Sequence, residues 1–117
     1  MYRPPGGTVK FGERSKDCII REIREELQAE VKELRHVGTI ENVFEYEGEL
    51  GHEIVFVYEA KFVNEAMYDK PQMPATESDG TKYNVLWKPL DEFRTGKSRI
   101  VPDGILALLG NLENNKH

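Results

Sequence analysis

The sequence predicts a single α+β domain, and three features carry this prediction. Residues 16–28 have the apolar periodicity of an amphipathic helix. Residues 38–46 and 53–62 have strand-like composition and flank a turn with two glycines, which is typical of an antiparallel hairpin. Residues 102–112 return to helical periodicity. Because 117 residues suit one domain, we expect a mostly antiparallel or mixed sheet flanked by two helices.

The first helix has one apolar face. At about 100° per residue, four aliphatic side chains fall in one arc and are expected to face the core. They are Ile19, Ile20, Ile23 and Leu27. Ser15 is predicted to cap this helix, and Asp17 lies in the first turn, where the helix dipole favours negative charge. Cys18 is predicted to be a small buried residue.

The rest of the chain is predicted to contain shorter segments. Residues 8–11, 31–34 and 83–88 have the composition of short strands, and residues 89–93 that of a helical turn. Residues 64–82 contain two prolines and few apolar side chains, so they are predicted to form a long loop. Long loops in compact domains are usually functional or mobile.

The composition narrows the possible classes of function. Charged residues make up 32% of the chain and the net charge is -5, which argues against general binding to nucleic-acid backbones. No run approaches the ~18 apolar residues of a membrane span. The single cysteine, Cys18, excludes an intrachain disulfide and suits the cytoplasm, which is the expected location. An acidic protein still binds phosphates where a divalent cation mediates the contact.

Three glutamates form an acidic face on the first helix, beside its apolar stripe. Glu22, Glu25 and Glu26 stand where like charges repel by about 0.2–0.5 kcal/mol per pair. Arg21 and Arg24 lie to the side of this cluster and relieve only part of the repulsion. The helix alone leaves two interpretations open. One is a solvated acidic face, and the other is a site for Mg²⁺ or Mn²⁺, which bind carboxylates together with substrate phosphates.

The acidic face belongs to a longer pattern of fixed spacing. Its matching positions are Gly7, Glu13, Arg21, Glu22, Ile23, Glu25 and Glu26. The stretch 7–29 strongly resembles the Nudix box of the Nudix hydrolase (MutT-like) family, G-x5-E-x7-R-E-U-x-E-E-x-G-U, where U is a bulky aliphatic residue. Gln28 and Ala29 depart from this pattern, since the family has there a glycine that ends the helix in a left-handed cap, and an aliphatic residue. The change at Gln28 is expected to cost ~1 kcal/mol of stability and no activity.

The resemblance implies an α/β/α sandwich with a mixed sheet between helices, and a site for Mg²⁺ or Mn²⁺. The implied metal ligands are the Gly7 carbonyl, Glu22 and Glu26 for the main ion, and Glu25 for a second. Arg21 would pair with Glu13 and hold the preceding loop against the helix. Glu22 would also orient or deprotonate the attacking water, although members of the family often use a glutamate outside the box.

Two glutamates outside the box are candidates for that catalytic role. Glu77 lies in the predicted loop, just before the strand at residues 83–88. Glu53 begins the strand at residues 53–62, and alternation directs it away from the side that Ile54 and Phe56 share. For each, a solvent-exposed carboxylate is the alternative interpretation.

Substrate contacts are expected from aromatic and basic side chains. Phe44 and Tyr83 are candidates for stacking on a base, with core packing or cross-strand pairing as the alternative. Arg3 is a candidate substrate-binding cation. Trp87 resembles the tryptophan that the family places at a strand end, and it is predicted to pack in the core.

The family fold normally begins well before the box, whereas here the box begins close to residue 1. The single domain over residues 1–117 is therefore expected to be incomplete at its N-terminus, with one or more front strands missing. Because an unpaired sheet edge invites pairing with another chain, we expect self-association as a homodimer or a larger assembly.

The resemblance implies a divalent-metal-dependent hydrolase acting on a nucleotide-type small molecule. It would cleave the pyrophosphate of a nucleoside diphosphate linked to another moiety, by water attack on phosphorus. The alternative is a nucleotide-binding module that keeps the fold and has little or no activity. A third possibility, a purely structural α+β domain, requires the spacing match to be a coincidence.

Overall fold

The computed structural model describes residues 3–77, 79–88, 90–97, 99–102 and 104–108. Its helices and strands are α1 (Ser15–Leu27), β1 (Val31–Tyr46), β2 (Glu49–Phe62), a 3-10 helix (Glu65–Asp69), β3 (Gln72–Thr76), β4 (Lys82–Leu86) and α2 (Leu90–Arg94). Among the described residues, β1 pairs with β2 and β3 pairs with β4, giving two two-stranded sheets. The predicted α+β class is confirmed.

The chain divides into two compact units. One unit comprises residues 5–35 and 59–88 and is called the box unit here, because it contains the whole 7–29 motif. The other comprises the described parts of residues 1–4, 36–58 and 89–117, and is called the hairpin-tip unit. In the hairpin-tip unit, residues 105–108 are helical, in agreement with the predicted closing helix, whose last residues lie outside the described part of the chain.

Helix α1 begins one residue earlier than the sequence pattern predicts. Arg14 is its N-cap, with extended backbone angles and no capping hydrogen bond from its side chain. The Cys18 amide donates to the Arg14 carbonyl at 2.9 Å, so the first helical turn closes on Arg14. The prediction that Ser15 caps the helix is therefore wrong, since Ser15 is already inside it.

The hairpin formed by β1 and β2 has a tighter turn than predicted. Glu47 and Gly48 both have positive φ, at 52° and 82°, as a two-residue type I′ turn requires. The predicted six-residue turn is therefore too long, because residues 49–52 already belong to β2. The short strand predicted at residues 31–34 is the first part of β1 and is continuous with the rest of it.

The long loop predicted for residues 64–82 is wrong. It contains the 3-10 helix and β3, which pairs antiparallel with β4 so that Met73 faces Val85 and Ala75 faces Tyr83. Side chains in β3 alternate between exposed and buried, and Pro74 takes an exposed position opposite Asn84. A proline is tolerated in such a strand where its missing N–H is not needed for pairing.

A second correction concerns the segment before α1. Residues 8–10 have no regular secondary structure and residues 11 and 12 form a turn, so the strand predicted at residues 8–11 is wrong. The Phe11 side chain is fully exposed, so it does not pack as a sheet residue would.

The core of the box unit joins α1 to the β3–β4 hairpin. Its buried members are Ile23, Leu27, Met67, Met73 and Ala75. Ile19 and Tyr83 are partly buried against them, so Ile19, Ile23 and Leu27 of the predicted apolar face do face this core. Ile20, the fourth predicted member of that face, is half-buried. Cys18 is buried and forms no disulfide, as predicted.

Trp87 does not pack in this core, contrary to the prediction. Its side chain is 45% exposed and stacks on Tyr68 with a centroid distance of 5.3 Å, while Phe62 meets it edge-on. The indole N–H donates to the Met67 carbonyl at 3.1 Å. Trp87 follows the end of β4, and its indole N–H already has an acceptor, so the ring lies at the surface of the box unit.

No helix in the described ranges is both long and apolar enough to cross a bilayer.

Candidate metal and phosphate site

The site is built on α1 and on the loop that leads into it. Arg21 is the central contact, because two N–H groups of its guanidinium bind the two oxygens of the Glu13 carboxylate. Nε donates to Oε2 at 2.8 Å and Nη2 donates to Oε1 at 3.0 Å. Nη2 also donates to the Thr8 carbonyl at 3.1 Å. A two-pronged arginine–carboxylate pair fixes orientation as well as distance, so it holds residues 8–13 against the helix.

The Glu13 carboxylate is further held by its own loop. The Lys10 amide donates to Oε1 at 3.1 Å. The Arg21 hydrogen bonds, with the Lys10 amide second, lower the pKa of Glu13 to about 2 from its ordinary 4.5. The same pairing raises the pKa of Arg21 further above its usual value. Both groups are therefore charged throughout the physiological range.

Arg21 also contacts two glutamates of the acidic face. Its Nη1 donates to Glu22 Oε1 at 2.7 Å and to Glu25 Oε2 at 3.2 Å. The Glu22 side chain is largely buried, at 14% exposure, whereas Glu25 is half-exposed. The Arg21 guanidinium thus binds three carboxylates. From the sequence alone, Arg21 lies beside the acidic cluster and is expected to relieve only part of the repulsion there.

Glu26 has a different partner. The Tyr83 hydroxyl, from β4, donates to Glu26 Oε2 at 3.0 Å. Burial raises the pKa of Glu26, and the negative charges of Glu22 and Glu77 raise it further against the lowering effect of the Tyr83 hydrogen bond. Burial, followed by the bond to Glu26, raises the pKa of Tyr83 to about 12. The Tyr83 hydroxyl is therefore protonated at neutral pH and can donate a hydrogen bond.

Glu77 lies near this pair, on the segment that joins β3 to β4. Its charge acts on both Glu26 and Tyr83. The Glu77 amide donates to the Thr81 carbonyl at 2.8 Å, which closes a short turn between the two strands. The β3–β4 hairpin therefore brings two groups to the end of the acidic face, the Glu77 carboxylate and the Tyr83 hydroxyl.

Gly7 lies directly against the acidic face. A Cβ atom added to Gly7 would overlap the carboxyl group of Glu22, whereas a Cβ added to Gly6 would meet nothing within 4 Å. While the Glu22 carboxyl group keeps this position, only a residue without a side chain fits at Gly7. The backbone at Gly6 and Gly7, called the Gly-Gly bend here, and the Glu22 carboxylate are thus neighbours.

The donor set suits a hard divalent cation. Glu22, Glu25 and Glu26 supply carboxylate oxygens on one helix, with the Gly7 backbone close to Glu22, and oxygen ligands are what Mg²⁺ and Mn²⁺ prefer. Within the described ranges, however, no three acidic, histidine or cysteine side chains are already arranged to hold an ion. In the described arrangement these carboxylates already accept hydrogen bonds, Glu22 and Glu25 from Arg21 and Glu26 from Tyr83.

Three further predicted residues belong to the hairpin-tip unit. Glu53 accepts a hydrogen bond from the Asn42 amide group at 2.9 Å. Phe44 is 40% exposed and its ring covers Gly51, where any side chain would collide with it. Arg3 is exposed. The box unit itself brings together Gly7, Glu13, Arg21, Glu22, Glu25, Glu26, Glu77 and Tyr83.

The hydrogen bond from Tyr83 to Glu26 is the feature that sequence reasoning missed. Alternation in β4 puts Tyr83 and Val85 on the same side, and both pack against the core with Met73 and Ala75 of β3. This alternation does not enter the sequence-based prediction, because Pro71 and Pro74 favour a loop where β3 lies.

Comparison with known proteins agrees with this arrangement. The family model described as the NUDIX domain matches residues 2–109. Three similar proteins are each called "NAD-capped RNA hydrolase NudC". The one from Pseudomonas fluorescens (strain Pf0-1) is 34% identical over 89 residues, which is 67% of this chain and 32% of that protein. The one from Pseudomonas syringae pv. syringae (strain B728a) is 32% identical over 87 residues, 67% of this chain and 31% of that protein.

The third, from Pseudomonas putida (strain KT2440), is 41% identical over 39 residues, 33% of this chain and 14% of that protein. This chain therefore spans at most about a third of the length of these relatives. The chain belongs to the NUDIX family, because the family model matches most of its length. The acidic helix, joined to its preceding loop by the Arg21–Glu13 pair, agrees with that membership. The family predicted from the 7–29 motif is confirmed.

Proposed function

We propose that this chain is a divalent-metal-dependent pyrophosphohydrolase that cleaves a nucleoside diphosphate linked to another moiety. The observation that carries the proposal is the arrangement of the acidic face. Glu22 lies against the Gly7 backbone on one side and Arg21 on the other, and Arg21 is fixed in turn by Glu13. A solvated acidic face has no need of such support.

The chemistry requires two things that these residues can provide. Charge on the non-bridging phosphate oxygens must be neutralised, which Mg²⁺ or Mn²⁺ supplies when bound, and a water must be positioned for attack on phosphorus. The proposed ligands are the Gly7 carbonyl, Glu22, Glu25 and Glu26. Glu22 orients or deprotonates the water, and Glu77 or Glu53 is the alternative for that role.

The names of the relatives suggest where to look for the substrate. NAD is an adenosine diphosphate linked to a second nucleoside, so it belongs to the proposed substrate class, and so does an RNA that carries NAD at its end. The net charge of -5 argues against binding along an RNA backbone, and we propose that recognition is confined to the nucleotide end. Phe44 and Arg3 are the proposed base and phosphate contacts.

The test is nucleotide release from a panel of such compounds, including NAD, an NAD-capped oligoribonucleotide, ADP-ribose and a sugar nucleotide. Release should require Mg²⁺ or Mn²⁺ and stop with EDTA. Glu22→Gln and Glu26→Gln should each lose about 10²-fold or more in rate. Glu30→Gln is the matched control, because Glu30 follows the same helix and pairs with Arg24 at the surface. Unchanged rates in both site variants would refute the assignment.

One observation favours a second candidate, a nucleotide-binding module with little or no turnover. In the described arrangement Arg21 binds Glu22 and Glu25, and its positive charge offsets part of the negative charge that would attract a cation. Calorimetry that shows nucleotide binding, combined with no turnover in the same metal buffer, would favour this candidate. Turnover would exclude it. The predicted cytoplasmic location and self-association stay predictions.

A further inference from the structure

We infer that Tyr83 is a positioning residue for Glu26: its hydroxyl fixes the Glu26 carboxylate so that the other oxygen is presented to a divalent cation. This inference rests on the proposed function, because it assigns Glu26 to the metal. It gives Tyr83 a role other than stacking on a base. The expected consequence is a metal affinity that depends on a single hydroxyl on a different strand.

The contact geometry supports this role. Tyr83 Oη donates to Oε2 of Glu26 at 3.0 Å, and the pair is partly buried. A carboxylate has two oxygens and about four acceptor sites, so the bond to Oε2 still leaves acceptor sites that a cation can use. In metal sites, a hydrogen bond to the ligating carboxylate sets its orientation, and loss of such a partner costs about 10- to 100-fold in metal affinity or activity.

The packing of Tyr83 explains why its hydroxyl is well placed. Its ring packs against the core cluster of the box unit, and it stands opposite the buried Ala75 in the β3–β4 pairing. The core also contains Ile23 and Leu27, which flank Glu26 along α1. The same hydrophobic contacts that attach the hairpin to the helix therefore hold the hydroxyl at its distance from Glu26.

The Tyr83 side chain is already engaged in contacts that compete with stacking on a base. Its ring packs against apolar side chains of the core and its hydroxyl is bonded to Glu26, so both parts of the Tyr83 side chain already have partners within the box unit. Arg21 donates to Glu13, Glu22 and Glu25, whereas the Tyr83 hydroxyl donates to Glu26. Tyr83 is thus the group that orients Glu26, as Arg21 orients Glu22 and Glu25.

The experiment measures Mn²⁺ affinity of the full chain without substrate, from the electron paramagnetic resonance signal of free Mn²⁺. Tyr83→Phe keeps the ring and removes the hydroxyl, and it should weaken Mn²⁺ binding on the order of 10-fold. Tyr68→Phe is the matched control, because Tyr68 also uses its hydroxyl within the box unit, accepting from the Phe62 amide at 2.9 Å. It should leave the affinity unchanged.

Two further measurements separate positioning from structure. The melting temperature in EDTA is recorded first, and affinities are compared well below it, so that every chain compared is folded. A second variant, Glu26→Gln, should itself weaken binding, and adding Tyr83→Phe to it should cause no further loss, because the two groups act as one unit. In turnover, Tyr83→Phe should raise the Mn²⁺ concentration needed for half-activity while the rate at saturating Mn²⁺ falls less.

The outcomes distinguish this inference from the proposed function. Wild-type chain that binds Mn²⁺ and turns over substrate, with Tyr83→Phe matching it in affinity, would overturn the role of Tyr83 and leave the function standing. Equal further losses from Tyr83→Phe in the wild-type and Glu26→Gln backgrounds would also overturn it. Wild-type chain that binds no Mn²⁺ would overturn both.

Discussion

Arg21 and Glu13, eight residues apart, form a two-pronged ion pair that joins α1 to its preceding loop, with N–O distances of 2.8 and 3.0 Å. Both side chains are largely buried, at 19% and 16% exposure. Arg21 then extends from this pair to Glu22 and Glu25. The loop, the helix and the acidic face are therefore coupled through one guanidinium.

The pH dependence of stability should report this ion pair. The pKa of Glu13 is lowered from 4.5 to about 2, so the folded state favours the ionised carboxylate. The stabilisation is fully present above about pH 4.5 and is lost as the pH falls towards 2. Between pH 6 and pH 3, the melting temperature of the wild-type chain should fall more steeply than that of Glu13→Gln.

The control for this measurement is Glu33→Gln, which removes an exposed glutamate that pairs with Lys61. Its melting curve should follow the wild-type pH dependence. If the melting temperatures of wild type and Glu13→Gln fall equally between pH 6 and pH 3, the Arg21–Glu13 pair makes no pH-dependent contribution to stability.

Gly7 and Gly6 offer a matched pair of substitutions. Gly7→Ala should lower the rate of hydrolysis on the order of 10²-fold, because the added methyl group would displace the Glu22 carboxyl group. Gly6→Ala should have no such effect, since nothing lies near its added methyl group. Stability should change little in either variant, because the displaced group is the flexible end of a side chain. Steady-state kinetics and thermal unfolding of both variants test this, and equal rates in the two would contradict it.

Replacing Gln28 with glycine should stabilise the protein. Gln28 ends α1 in the left-handed conformation, with φ 54° and ψ 39°, and its amide donates to the Arg24 carbonyl at 3.0 Å. Glycine adopts this conformation without the steric cost that a Cβ brings, so Gln28→Gly should raise the free energy of unfolding by about 1 kcal/mol. Lys16→Gly, inside the same helix, should instead lower it by roughly 0.5–1 kcal/mol. Urea denaturation distinguishes the two, and a less stable Gln28→Gly would contradict the prediction.

Much of the box unit could be predicted from the sequence, because its signals are local. The period of Ile19, Ile23 and Leu27 predicted α1, and the spacing of the charged residues led to the family. The end of α1 at Gln28 was predictable only through the family, since glutamine by itself gives no sign of a left-handed cap.

The remaining features depend on contacts between distant segments. Two prolines concealed β3, whose strand nature becomes clear only when Met73 and Ala75 are seen to face Val85 and Tyr83. The hydrogen bond between Tyr83 and Glu26 joins residues 57 positions apart and follows from that pairing. The prediction that Trp87 packs in the core rests on its resemblance to the family's strand-end tryptophan, whereas the Met67 carbonyl accepts a hydrogen bond from its indole N–H at the surface.

The central claim is that a divalent cation binds where the acidic face of α1 meets the Gly-Gly bend. The most direct measurement is anomalous diffraction from crystals soaked in Mn²⁺ together with a nucleoside monophosphate. We predict an anomalous peak within bonding distance of Glu22, Glu26 and the Gly7 carbonyl oxygen, and no peak there in crystals of Glu22→Gln. A wild-type crystal with bound nucleotide and no peak at this position would contradict the account.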